Sequence, residues 1–331
     1  MRNEGGKTFA EVRARTALAG SHLDPSVPLE RASSVTNEVW LTADHVIRVN
    51  RRSSSRLYRE SVLGAALPAQ VGYPRIVGRG GKHGEDWMVS ERIPGRPLAH
   101  VWADLSPDER RSSINQLVDR LKAVHQTPLP VGLPSIPGTP SLLRLDTDTP
   151  TELVLHSIKE ASQLAFVDPT LLQEAADMVD ALAPALQPLE RTMMVHGDVT
   201  FENVLWHQGT ITALIDFEWA RPGPKDLDLD VILRCVAFPE LHVAPAQRER
   251  TTADDYAMVP HCLQMAYPEL FEHPQQIDRL RLYAIAYDVR DLLTSPPDEL
   301  TRRLPPSHAY HRLSAVVEGM SYLDSITAEC A

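Results

Sequence analysis

The chain has 331 residues, 43% of them hydrophobic and 23% charged, which is enough apolar material for a large core and unlike a broadly disordered polymer. Its 33 Lys and Arg against 44 Asp and Glu leave a formal charge of −11, which argues against a nucleic-acid binder and against docking on an anionic membrane. Three cysteines, Cys235, Cys262 and Cys330, lie far apart with no Cys-x-x-Cys pair, Met1 to Lys7 lead into no apolar h-region and no 18-residue apolar run occurs, so a reduced, cytoplasmic protein is expected.

Up to Gly95 the chain reads as strands around one helix. Residues 35–40 and 45–50 are short β-prone runs joined by Ala43-Asp44. Residues 56–67 are helical, with Leu57, Val62, Leu63 and Leu67 near one face. Strands are expected again over 74–77 and 86–93, across a turn rich in Gly80, Gly81 and Gly84. After Pro94-Gly95 long helices take over. Ser106-Pro107-Asp108-Glu109 joins a capping box to a proline at the first helical position, and Ile114, Leu117, Val118, Leu121 and Val124 follow at helical spacing. Residues 127–150 form a Pro-rich loop or lid. Asp168-Pro169 opens another helix, and 275–293 is a third, through Ile277, Leu280, Ala284, Tyr287 and Leu292. The outline is an α+β chain of two lobes, with 1–95 small and β-rich and 96–331 larger and mainly helical.

Between the helices runs Met194-Val195-His196-Gly197-Asp198-Val199-Thr200-Phe201-Glu202-Asn203-Val204-Leu205, followed after a turn at Gln208-Gly209 by Ala213-Leu214-Ile215-Asp216-Phe217-Glu218-Trp219. Two carboxylates and an amide on short apolar strands are what phosphoryl transfer needs. One Asp orients or deprotonates the acceptor hydroxyl, while an Asn and a second Asp offer the hard oxygen ligands that Mg2+ prefers.

His196-Gly197-Asp198 with Asn203 five positions on, then Ile215-Asp216-Phe217, resembles the aminoglycoside phosphotransferase and choline kinase family, whose fold is similar to that of protein kinases. The resemblance extends roughly from Leu29 to Leu293. It implies that Asp198 is the base, that Asn203 and Asp216 bind Mg2+, and that His196 braces the loop. Asp228 resembles the structural Asp that follows the metal site, with Asp226 an alternative. In the small lobe, which would bind ATP or GTP, Val46-Ile47-Arg48-Val49 resembles the strand whose basic residue clamps the phosphates, with Glu60 as its partner. Arg48 departs from the Lys of protein kinases, although Arg also binds phosphate and is always charged. The phosphate loop falls at Ser33-Ser34-Val35-Thr36-Asn37, glycine-free, with Ser34 and Thr36 as donors. Glu91 and Ile93 would meet the nucleobase through the main chain. An edge charge at Arg48 and a solvated helix residue at Glu60 are the plain alternatives.

The resemblance points to an aminoglycoside or aminocyclitol antibiotic as acceptor, and hence to resistance, with a monomer expected and a dimer left open. A macrolide, a sugar, or a choline-like or homoserine-like metabolite is the alternative acceptor, and a pseudokinase the alternative class. Glu202, Glu218, Trp219, Asp254 and Asp255 are candidate acceptor contacts, although Trp219 could equally plug the loop and Asp254-Asp255 could cap a helix. The charge splits at Gly95, with 14 basic and 10 acidic residues before it (+4) and 19 basic and 34 acidic after it (−15). Such an asymmetry predicts an acidic acceptor lobe that gathers a small cationic substrate near Asp198.

Overall fold

Alternation along one strand settles the architecture of the N-terminal region. In the computed structural model, which describes residues 9–32, 34, 37–51, 54–82, 84–133, 142–145, 147–298 and 303–324, α1 (Phe9–Gly20) precedes a five-stranded sheet. The sheet is built from β1 (Glu30–Ala32), β2 (Asn37–Leu41) and β3 (His45–Asn50), then, after α2 (Arg56–Gly64), β4 (Ile76–Gly80) and β5 (Trp87–Glu91). The order is β1-β2-β3-β5-β4, and every neighbouring pair is antiparallel. On β3, Ile47 and Val49 are buried with Val89 against Ala14, Ala17 and Leu18 of α1. The two-residue period of a strand then turns Arg48 to the opposite face, where α2 lies.

The helical region starts with β6 (Arg96–Pro97) and α3 (Pro107–His125), where the Ser106 hydroxyl accepts from the Glu109 amide and the Glu109 side chain returns to the Ser106 amide. Helices α4 (Glu152–Ala161) and α5 (Pro169–Leu182) follow, the latter capped by Asp168. Short strands β7 (Met194–Val195), β8 (Val204–His207), β9 (Thr210–Leu214) and β10 (Arg221–Pro222) carry the Asp198 and Asp216 segments, with β7 paired to β10 and β8 lying between β6 and β9. Helices α6 (Asp226–Ala237), α7 (Val259–Ala266), α8 (Gln276–Thr294) and α9 (Ala309–Val317) complete the region. Helix α6 is buried on every side from Asp226 to Val236, so it forms the axis of the region and its charged residues must find partners inside. This is an α+β chain with a sheet-bearing N-terminal part and a helical C-terminal part.

Several elements depart from expectation. The strand expected over 74–77 runs instead through Ile76–Gly80, because Pro74 has no amide for the ladder and Gly80 is not a turn residue: a Cβ there would lie 2.6 Å from the Trp87 ring. The strand expected from residue 35 is described from Asn37, and Val35 lies outside the described residues. Helix α2 stops at Gly64 and β5 at Glu91, short of the expected 67 and 93. Helix α1 was not expected, because its buried face is Ala14, Ala17 and Leu18 while Phe9 and Val12 are exposed, which leaves little apolar periodicity. Much of the loop at 127–150 lies outside the described residues, as does Cys330, whereas Cys235 and Cys262 are buried free thiols. Among the described residues no helix is long and apolar enough to cross a membrane.

Candidate active site

The segment after β7 is held by a carboxylate from beneath. Asp228, fully buried on α6, accepts from the His196 amide at 2.8 Å, the Gly197 amide at 2.7 Å and His125 Nε2 at 2.9 Å. Burial alone would raise its pKa, but the hydrogen bonds from His125 and the Gly197 amide outweigh burial and hold it below the usual carboxylate range. Of the two aspartates left open, Asp228 is the one that holds this loop. Asp226 turns the other way and pairs with Arg279 and Tyr283.

His196 Nε2 donates to the Ile215 carbonyl at 3.0 Å, and its Nδ1 accepts from the Asp198 amide at 3.3 Å, which fixes the neutral tautomer. Burial lowers its pKa, in keeping with that state. Gly197 must be glycine: its φ is +79°, and a Cβ would stand 2.6 Å from the Trp219 carbonyl oxygen. His196 thus ties the Asp198 loop to the Asp216 loop by backbone contacts, and its ring packs on Phe217 at 4.3 Å.

Asn203 Nδ2 donates to the Asp198 carbonyl at 2.8 Å and to Asp198 Oδ2 at 3.2 Å, so the orientation of the amide leaves its oxygen for another partner. Asp216 follows β9 in the left-handed region, at φ 63° and ψ 60°, a conformation that costs a non-glycine residue about 1–2 kcal/mol and concentrates at functional sites. Burial, then Asp216 and Glu218, push Asp198 up to about 8. Burial and Asp216 likewise push Glu218 up to about 7. Carboxylates that raise one another in this way form a donor set suited to a divalent cation, which would relieve the repulsion. Among the described residues no group of three or more His, Cys, Asp or Glu side chains forms a metal cage by itself, so nucleotide phosphates would have to supply further ligands.

From the sheet side Arg48, with only 13% of its side chain exposed, reaches Glu60 Oε2 at 2.7 Å and Asp216 Oδ1 at 2.9 Å. Glu60 is fully buried and also accepts from the Tyr73 hydroxyl at 3.0 Å and the Phe217 amide at 3.2 Å. One guanidinium therefore links the sheet, α2 and the Asp216 loop. Nothing in the sequence showed the Arg48–Asp216 contact, which spans 168 residues.

Other expected residues stand as follows. The Ser34 carbonyl accepts from Arg51, and Thr36 lies outside the described residues. The Glu91 amide donates to the Arg75 carbonyl and its side chain pairs with Arg75, while Ile93 follows half-buried. Trp219 lines a cavity beside Asp198, with the Arg56 guanidinium 3.8 Å from its ring centroid. Three candidates for acceptor contact are placed in other contacts or away from the cavity. Glu202 is engaged by His100 at 3.0 Å and by the Ala244 amide at 2.7 Å, because its turn faces the interior of the helical region. Asp255 caps Thr252 and lies 3.5 Å from Arg110, and Asp254 is exposed beside it. Neither Asp254 nor Asp255 lines the cavity beside Asp198, nor does Glu202. Residues that do line it and went unnoticed in the sequence include Arg234, Arg290, Asp291 and Arg312. The Asp230–Arg234 spacing of four on one helix was the one available signal.

Residues 29–257 match the model of a phosphotransferase enzyme family, APH. Among curated proteins, the chain is similar to the aminoglycoside 3'-phosphotransferases of Streptomyces ribosidificus (29% identical over 189 residues, 54% of this chain and 65% of the relative) and Streptomyces fradiae (28% over 191 residues, 54% and 63%). The matched stretch thus spans a little under two thirds of either relative's own length. Among solved structures, aminoglycoside phosphotransferase APH(4)-Ia superposes with a TM-score of 0.59 at 18% identity, over 94% of this chain and 99% of that one. The GDP complex of aminoglycoside 2'-phosphotransferase-IIIa gives 0.59 at 17%, over 97% and 99%. The streptomycin–ATP–APH(2'')-IIa ternary complex gives 0.57 at 17%, over 94% and 99%. At these identities the likeness establishes a shared fold.

Proposed function

The chain belongs to the APH phosphotransferase enzyme family, and from that membership we propose that it transfers the γ-phosphate of ATP or GTP to a hydroxyl of a small molecule. The observation that carries the reading is the convergence of the hydrogen-bonded Asp198–Asn203 pair with Asp216, which Arg48 ties to Glu60 from the sheet side and which is near enough to Asp198 to raise its pKa. In this reading residues 1–95 are the nucleotide-binding lobe and 96–331 the acceptor lobe, all groups of the site coming from one chain acting as a monomer in the cytoplasm.

Asp198, which lines the cavity, accepts the proton of the acceptor hydroxyl. The alcohol oxygen forms the new P–O bond as the bond to the nucleoside diphosphate breaks, giving a phosphate monoester. Asn203 holds Asp198 in place through its amide nitrogen, and its oxygen, with Asp216, would hold Mg2+. That ion, when bound, neutralises charge on the β- and γ-phosphates. Arg48, steadied by Glu60, is the phosphate clamp. Asp198→Ala is expected to lower kcat by about 10²–10⁴ while nucleotide still binds; near-normal kcat in that variant would remove Asp198 from the role.

The acceptor has two readings. The curated relatives support an aminoglycoside or aminocyclitol, with resistance as the outcome. The cavity beside Asp198 favours a second reading, an acceptor that is not a polycation, since its lining includes Arg234, Arg290 and Arg312. A transfer assay with streptomycin, kanamycin, spectinomycin and hygromycin B separates the two: product from any of them supports the first, and none from all four removes it.

A further inference from the structure

Phe201, Glu202 and Asn203 form a single 3-10 turn between Thr200 and β8. With three residues per turn, consecutive side chains leave it about 120° apart. Asn203 goes to Asp198. Phe201, fully buried, packs on the rings of Trp102 at 4.9 Å and Tyr256 at 5.4 Å. The third direction belongs to Glu202, for which phosphoryl transfer itself has no use.

The Glu202 carboxylate ends between two segments far apart in the chain. His100 Nε2 stands 3.0 Å from each of its oxygens, and because a carboxylate only accepts, that nitrogen carries the proton. His100 closes the turn that follows β6, and β6 pairs with β8 just past Asn203, Pro97 lying opposite Leu205. From the other side the Ala244 amide donates to Glu202 Oε1 at 2.7 Å. Ala244 leads into a 3-10 turn, Pro245–Arg250, and comes just after Leu241 and His242, which line the cavity beside Asp198.

Few other contacts fix that segment. Val243 is buried, but the bonds from the Gln247 amide to the Ala244 carbonyl and from the Thr251 amide to the Arg248 carbonyl are internal to it. Its other side-chain tie to the rest of the chain, among the described residues, is the pair Arg250–Asp104, more than half exposed on both sides and so worth little. A carboxylate that accepts a main-chain amide is the stronger kind of bond.

We propose that Glu202 is a positioning residue, which fastens segment 242–250, and with it the Leu241–His242 edge of the cavity, to the turn that aims Asn203 at Asp198. Such coupling is reciprocal, so a change that frees the segment also loosens the turn. His100 braces the carboxylate from the side of β6. The inference rests on the kinase reading above for the roles of Asp198 and Asn203, while the fastening itself is measured without it.

Two variants cut the link from opposite ends. Glu202→Ala removes the acceptor, and Ala244→Pro removes the donor at a position whose φ of −55° suits proline. Glu202→Gln is the conservative variant, because both donors reach Oε1 and one amide oxygen can accept from both. Circular dichroism checks that all three fold, and hydrogen exchange on the full chain reads the link. Glu202→Ala should speed exchange at the Gln247 and Thr251 amides at least about tenfold, the worth of one hydrogen bond to a charged group. Ala244→Pro should speed the Asn203 amide, which donates to the Thr200 carbonyl, by a similar factor. Glu202→Gln should stay close to wild type at all three. In ATP hydrolysis with Mg2+ and no acceptor, both cutting variants should lose about tenfold or more in kcat, as a small misplacement of a reacting group costs. The nucleotide KM should hold, since neither change touches Arg48 or Glu60, and Glu202→Gln should restore kcat. Unchanged exchange at Gln247 and Thr251 in Glu202→Ala, an Asn203 amide indifferent to Ala244→Pro, or a Glu202→Gln variant that behaves like Glu202→Ala would overturn the proposal. So would a raised nucleotide KM with kcat intact. A wild type that hydrolyses no ATP counts against the kinase reading, and hydrogen exchange alone then decides the link.

Discussion

The two faces of the cleft handle charge differently. On the sheet side a single guanidinium, Arg48, stands between two carboxylates, Glu60 and Asp216, and ties three elements together. On the helical side three arginines interleave with three aspartates, and the pairs extend from α6 through α8 to α9. The first arrangement leaves carboxylates in surplus, where a cation and a polyphosphate would be received. The second leaves none in surplus, although the surrounding sequence is the acidic half of the chain. Net charge by segment therefore forecasts long-range steering, while the charge of a cavity wall depends on which side chains fold against one another.

The largest effect that would break this comparison is expected at Arg312, buried on α9. Arg312→Ala strips Asp288 and Asp291 of their shared partner and leaves buried Asp288 only the 3.6 Å contact with Arg234, a loss of about 3 kcal/mol in denaturant unfolding. If the variant unfolds at the wild-type midpoint, the arginine–aspartate chain is not structural and the wall should be read as solvated.

Asp228→Asn comes next. It keeps the shape but removes the charge that accepts from His125 and two backbone amides, at an expected cost of about 2 kcal/mol. The folded carboxyl titrates below its ordinary value, so its contribution is fully present above the ordinary carboxylate pKa and is lost as pH falls toward the depressed one. Wild type should therefore lose stability on the acid side faster than the variant. Parallel acid slopes in the two proteins would show that Asp228 contributes no such charge effect.

On the sheet side the expected effect is kinetic. Glu60→Gln keeps the buried shape while releasing Arg48 to Asp216 alone, and should raise the nucleotide KM by about tenfold with a small change in Tm. An unchanged KM would mean that Arg48 needs no partner on α2.

The sequence showed one face of the cleft and hid the other for a physical reason. Asp198, Asn203 and Asp216 lie within a stretch of two short hairpin-like strands, so their chemistry and their spacing travel together. The strand at 45–50 and the Arg48 side chain were legible because a two-residue period leaves few choices of face. Helix α6 was not, since its Asp-Leu-Asp-Leu-Asp start alternates like a strand and its aspartates look like surface residues until Arg279, His125 and Arg234 are brought to them. The acceptor contacts guessed near the motif, Glu202 above all, turned inward because the short turn that holds Asn203 directs the neighbouring side chain to His100 and the Ala244 amide.

The smallest expected effect separates stability from chemistry. Ser106 caps α3 through the Glu109 amide, and Glu109 returns the bond to the Ser106 amide, so both groups act within one exposed turn, and neither lines the Asp198 cavity. Ser106→Ala should cost about 1 kcal/mol, the usual worth of such a cap, and lower Tm by a few degrees. Because α3 also carries His125, the partner of Asp228, fraying at its first turn could in principle reach the site. The rest of the 19-residue helix, with Ile114, Leu117, Val118 and Leu121 buried along it, holds His125 in place. Per folded molecule, turnover should therefore equal that of wild type at temperatures below both transitions. A fall in kcat without a matching fall in Tm would instead show that α3 transmits its end-state to Asp228 and the loop above it, coupling that the buried stripe should prevent.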